Sequence, residues 1–180
     1  MKKQIVEISM VGMVAFLLAV LLMANPFTTT PARAAINPTV TAGKVIDIDL
    51  TQQKMTALEG GEAVYSSLVM TGRAGLATPT GTYHVFAKES PTTFTSPWPE
   101  GSPNYYDPTY INYALEWKAG GFYLHDAWWH TVYGPGTNGW HNDPTYGWQD
   151  GSHGCISMPY AAAKWLYNWA PIGTTVQIHY

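Results

Sequence analysis

The sequence predicts a mainly β domain with one helix packed against a sheet, and three observations carry that expectation. Val45-Ile46-Asp47-Ile48-Asp49-Leu50 alternates with the period of two that a half-buried strand requires. Gly60-Gly61 separates two strand-like runs by the two residues of a tight hairpin. Tyr160 to Ala170 contains four alanines and no glycine, between Pro159 and Pro171-Ile172-Gly173. Those are helix start and stop signals.

The other elements follow in chain order. Lys54 to Glu59 and Ala63 to Met70 are the arms of the hairpin. Thr78-Pro79-Thr80-Gly81 is a turn by composition, and strand character resumes from Thr82 to Ala87. Five prolines between Ser90 and Pro108 mark a long loop, a feature that compact domains keep for function. Tyr110 to Trp117 and Phe122 to His125 read as strands. In the second, Phe122 and Leu124 face one side while Tyr123 and His125 face the other. In the helix, Trp165, Leu166 and Trp169 share one face toward the sheet. Thr174 to Tyr180 closes the chain as a strand with Val176, Ile178 and Tyr180 in register.

The N-terminal part has a different purpose. Lys2 and Lys3 precede an apolar run from Met10 to Ala24, and Ala32-Arg33-Ala34 offers an A-x-A cleavage site. Residues 1–34 therefore read as a signal peptide, or as an uncleaved anchor if processing fails, with 35–43 a short linker. The working part then faces an extracytoplasmic space, whether secreted, in the wall or in a periplasm. It touches the membrane only if the leader is retained. Without the leader six basic and eleven acidic side chains remain, and Arg73 is the only arginine. That balance excludes the basic patch of a nucleic-acid binder and the polybasic handle for anionic lipid. Residues 44–180 suit a single domain.

Cys155 is the only cysteine. An intrachain disulfide is thereby excluded, leaving an inert thiol, an intermolecular bridge or a nucleophile. Its setting, Gly151-Ser152-His153-Gly154-Cys155-Ile156-Ser157, favours a turn that gathers amide N–H groups and a base around a thiolate. The candidate bases are His125, His130, His141 and His153. His84 and His179 lie in an early and a terminal strand and are set aside.

Ser152-His153-Gly154-Cys155-Ile156 resembles the S/T-H-G-C signature of the L,D-transpeptidase catalytic-domain family of bacterial cell walls. The likeness continues in order through Val45 to Leu50 with Gln53, Thr71-Gly72, Thr78-Pro79-Thr80-Gly81, Leu124-His125-Asp126-Ala127 and Gly173-Thr174-Thr175-Val176. It implies a β-sandwich-like domain in which Cys155 attacks a tetrapeptide stem of peptidoglycan. The terminal D-amino acid leaves, and the acyl group passes to an amine on a neighbouring stem. His125 is then general base and later acid, His153 and Ser152 support the site, and the Gly154 N–H stabilises the oxyanion. The resemblance also implies that no metal or organic cofactor is needed and that carbapenems inhibit.

Two features depart from the family pattern. Twenty-six residues separate His125 from Ser152, more than is usual there. The surplus, at about 127–150, reads as an aromatic insertion over the site, with Trp128, Trp129 and Trp148 as candidate substrate contacts. Ser157 stands where the family commonly has Asn or Arg. Three other readings stay open: an L,D-carboxypeptidase with water as acceptor, a non-catalytic wall-binding module with Cys155 idle, and a metal site drawn from His125, Asp126, His130, His141, His153 and Cys155. No short ligand spacing organises that last set.

Overall fold

The computed structural model describes residues 43–180. The expected leader, and the expected linker up to Thr41-Ala42, lie outside the described residues. Among the described residues no helix is long and apolar enough to cross a membrane.

Two sheets and one helix share a core. The first sheet contains β1 (Lys44–Asp49), β2 (Lys54–Glu59), β3 (Glu62–Leu68), β4 (Gly81–His84) and β13 (Thr175–His179), in the order β3-β2-β1-β13-β4. The second contains β5 (Ala87–Glu89), β8 (Ala114–Lys118), β9 (Phe122–Asp126) and β12 (Ile156–Met158), in the order β12-β9-β8-β5. Alternation in β1 buries Ile46 and Ile48 completely and leaves Asp47 and Asp49 part-exposed. These isoleucines meet Leu115, Leu124, Ile156 and Met158 from the second sheet in one core. Each such side chain contributes roughly 1.5–3 kcal/mol by leaving water. Helix α1 (Tyr160–Trp169) adds Ala162, Ala163 and Leu166 to that core and packs on β8 and β9. Its tryptophans are half-buried; Trp165 stacks on Tyr65 of β3 with ring centres 4.3 Å apart.

Several strand expectations need correction. The run from Thr82 to Ala87 is two strands, because the chain changes sheets at Val85-Phe86. There Val85 N–H bonds to Thr174 O (2.9 Å) in the first sheet, and Phe86 N–H to Glu116 O (2.9 Å) in the second. The run from Tyr110 to Trp117 divides at Asn112-Tyr113, whose N–H groups leave the ladder for the Asp126 carboxylate (3.0 and 2.8 Å). The loop after Ser90 opens with β6 (Thr92–Phe94), paired to β7 (Thr109–Ile111). Within the insertion, β10 (His141–Asp143) and β11 (Gly147–Gln149) form a hairpin. The segment after Cys155 is β12, which lies parallel to β9 with Ser157 opposite His125.

Candidate active site

The β9–β12 pair places the chemistry. Because the strands are parallel and in register, Ser157 and His125 share one face, and Cys155, two residues before Ser157, extends that face at the strand entrance. Cys155, Ser157 and His125 all line one cavity of about 400 Å³, closed on other sides by Tyr106, Trp128 and Trp129.

The turn before β12 is held by residues whose side chains do no chemistry. Ser152 Oγ donates to Cys155 O (2.6 Å) and accepts from Gly154 N–H (3.1 Å). Thr78 Oγ1 donates to Gly154 O (3.0 Å) and accepts from Gly72 N–H (2.9 Å). Gly154 has φ +110°, and a Cβ there would stand 2.8 Å from Phe122 Cε1. Gly72 is packed as tightly: a Cβ would meet Leu76 O at 2.2 Å. Thr71 O accepts from Ser152 N–H (3.0 Å), while Thr71 N–H donates to the fully buried Gln53 Oε1 (2.9 Å). The ordered segments around Gln53, Thr71-Gly72 and Thr78 are therefore the scaffold of the cysteine turn. At rest the Gly154 N–H, the expected oxyanion donor, is held by Ser152 Oγ.

His125 is buried, with Phe94 edge-on at 5.2 Å and Trp129 stacked at 6.0 Å. Nδ1 faces its neighbour's carbonyl, Asp126 O (2.8 Å), and Nε2 lies 3.3 Å from Ser157 Oγ. A carbonyl only accepts, so Nδ1 carries the proton and Nε2 presents its lone pair. Burial lowers the imidazole below its ordinary value, partly offset by the Asp126 carbonyl and carboxylate. The residue is thus neutral near pH 7.

Cys155 is also neutral at rest. Its thiol donates to Gly121 O (3.3 Å), and among the described residues no hydrogen bond joins it to an imidazole. Although the residue keeps partial exposure, shelter of the sulfur pushes the thiol up to about 11; Tyr123 N–H opposes this and Glu116 adds to it. At pH 7 the resting thiol is therefore overwhelmingly protonated.

His153 faces the other wall. Its Nε2 meets Arg73 Nη2 at 2.9 Å, and its ring packs on Trp98 and Tyr106 (5.2 and 5.3 Å). Burial, then the Arg73 charge, lower its pKa, so it accepts from the guanidinium as a neutral ring. Arg73 also donates to Asn104 Oδ1 (3.0 Å) and Gly151 O (3.3 Å), and pairs with Asp150 (3.8 Å). Sequence reasoning noticed Arg73 only as a charge count and missed Asn104, because their partners lie far apart in the chain.

The remaining candidates separate. Trp128 and Trp129 line the cavity, as does His130. Trp148 does not; it stands on the outer face of the β10–β11 hairpin, 71% exposed. His141 turns its Nδ1 to Gly139 O (2.8 Å). Among the described residues no three His, Cys, Asp or Glu side chains are grouped to hold a metal ion.

A family model described as the YkuD L,D-transpeptidase catalytic domain matches residues 43–178. The chain belongs to that family. It is 32% identical to the probable L,D-transpeptidase 3 of Mycobacterium tuberculosis over 58% of this chain and 35% of that protein. It is 30% identical to the putative L,D-transpeptidase YciB of Bacillus subtilis over 74% of this chain and 64% of that protein. The chain thus spans less than two thirds of either relative. The crystal structure of an Enterococcus faecium L,D-transpeptidase mutant superposes with a TM-score of 0.62 at 26% identity, covering 76% of this chain and 50% of its own. An avibactam carbamoyl enzyme superposes at 0.60 and 26%, covering 76% and 49%.

Proposed function

We propose that this L,D-transpeptidase family member is an exported cell-wall enzyme that cross-links peptidoglycan stem peptides through a thioester on Cys155. One observation carries the reading. A buried imidazole whose Nε2 lone pair accepts from Ser157 Oγ, and a lone thiol at the entrance of the neighbouring parallel strand, line the same cavity.

The resting protonation states favour proton transfer in step with attack. A neutral thiol beside a neutral imidazole is a general-base pair, so the proton moves during attack. Substrate binding draws Sγ away from Gly121 O toward the scissile carbonyl, and His125 Nε2 takes the thiol proton as the S–C bond forms. Backbone N–H donors of the turn around Cys155 stabilise the oxyanion as it forms. Loss of one such donor typically costs ~10²–10³ in rate. As the C–N bond breaks, His125 returns the proton to the departing D-amino acid. An amine from a second stem then attacks the thioester, His125 accepts its proton, and Cys155 leaves as the restored thiol.

Carbapenems present an acylating carbonyl to the same sulfur, and the avibactam-modified neighbour is consistent with covalent inhibition at such a site. Incubation with a carbapenem followed by intact mass measurement gives one adduct, absent in Cys155→Ala. A folded wild-type protein that forms none overturns the catalytic reading. Tetrapeptide stems then yield cross-linked dimer; release of tripeptide alone makes water the acceptor. His125→Ala lowers turnover by ~10²–10⁴.

A further inference from the structure

The insertion contains an aromatic face that the catalytic reading does not use. In the β10–β11 hairpin Asn142 pairs with Trp148 and His141 with Gln149. Strand alternation puts Trp148 and Asn142 on one side and Asp143 and Gln149 on the other, and Trp140 is exposed just before β10. The two sides have opposite environments. Trp140 and Trp148 are 73% and 71% exposed, Asp143 is buried, and Gln149 lines the cavity. The hairpin is anchored from its inner side, where the Asp143 carboxylate accepts from Thr131 N–H and Oγ1 and from Thr145 N–H (2.6, 2.7 and 2.8 Å). Two indoles are thus held in water on a fixed support, the pattern of an interaction site.

We propose that this outer face binds an uncharged polysaccharide strand whose peptide branches reach the adjoining cavity, a choice of polymer that rests on the transpeptidase reading. Charge selects the ligand class. Residues 127–149 contain no Lys, Arg or Glu, and Asp143, their one carboxylate, is buried. Such a face has no cation for phosphate or anionic lipid. It offers flat apolar rings and the exposed amide of Asn142, paired across the hairpin with Trp148. A pyranose presents a matching surface, a C–H face for the indole and equatorial hydroxyls for the amide, and rigid aromatic anchors lose little entropy on binding. Position selects the polymer. Gln149 and Asp150, adjoining Trp148, form cavity wall, and Trp128 stands at the rim, 57% exposed. A glycan on the hairpin therefore runs past the cavity mouth.

The test uses N-acetylglucosamine oligomers, read by tryptophan fluorescence, and retention on insoluble peptidoglycan, with Cys155→Ala as the binding protein so that chemistry does not intervene. Trp140→Ala/Trp148→Ala weakens oligomer binding about tenfold or more and abolishes retention, with an unchanged melting temperature. Trp148→Phe keeps part of both. The proposal is overturned if the double variant binds like its Cys155→Ala parent, or if that parent binds no oligomer although the wild-type protein forms the carbapenem adduct. It is equally overturned if the indoles instead mediate self-association or capture on anionic vesicles. Glycan binding by Cys155→Ala together with a folded wild-type protein that forms no carbapenem adduct leaves this inference standing and removes the transpeptidase reading.

Discussion

Thr78 touches no reacting atom, yet its hydroxyl joins Gly72 N–H to Gly154 O and so sets the height of the cysteine turn. Thr78→Val keeps the shape and removes both bonds. It leaves a buried N–H without a partner, at a cost of about 1–3 kcal/mol. We expect a measurable drop in melting temperature together with slower carbapenem acylation, because the turn slackens where Sγ must be aimed. The acid–base pair makes a separate prediction. In the proposed mechanism His125 acts as the neutral imidazole; burial lowers its pKa below the ordinary imidazole value and pushes the thiol up to about 11. The acylation rate therefore rises through an inflection below pH 6.5 and is flat from about pH 7 to 9. A rate still climbing tenfold per unit through pH 8 would mean that free thiolate attacks without a base. Cys155 and His125 were legible as candidate residue types in short segments, and folding brings both to one cavity. Arg73 was not, since its meaning comes from Asn104, Gly151 and His153, brought to it only by folding.

The insertion shows what stabilises an element with little regular structure. Burial alone would raise the Asp143 carboxyl. Donors from Thr131, Thr145 and Tyr146 outweigh that and hold it far below the usual carboxylate range. Beside it, burial and then His141 push His130 down to about 4, against the pull of Asp143, while His125 adds to the lowering. Both groups have folded-state pKa values below their unfolded ones, so acid favours the unfolded chain. The His130 contribution is complete above about pH 6.5 and is lost as pH falls toward 4; the Asp143 contribution goes at lower pH still. Melting temperatures recorded from pH 7 to 4 should fall, and the fall should flatten in His130→Gln. Asp143→Ala should loosen the whole insertion, seen as rapid amide exchange across residues 131–149. β10, β11 and β12 escaped sequence reading because each has three residues, too few for alternation to register. β1, β2 and α1 were legible because their periodicity runs over six residues or more.

At the scale of the molecule, both sheets depend on the same apolar layer. Leu124 sits on β9 directly behind His125 and is fully buried among residues of both sheets and the helix. Leu124→Ala should cost about 2–5 kcal/mol, a drop of the order of 10 °C in melting temperature. The motif order along the chain predicted the architecture well because each segment is a scaffold piece with one place to go: Gln53 under Thr71, Thr78 under Gly154. Spacing predicted it poorly. β9 and β12 are parallel neighbours, and parallel strands cannot be joined by a tight turn; they need a crossover of a dozen or more residues. The stretch from Ala127 to Cys155 is that crossover, and the site is defined by strand register at its two ends. Closing a loop twice as long costs only about 0.6 kcal/mol more. Evolution and the protein engineer therefore share a free port. Segments of quite different length and surface chemistry can be spliced between His125 and Cys155 without disturbing the register that brings the two together.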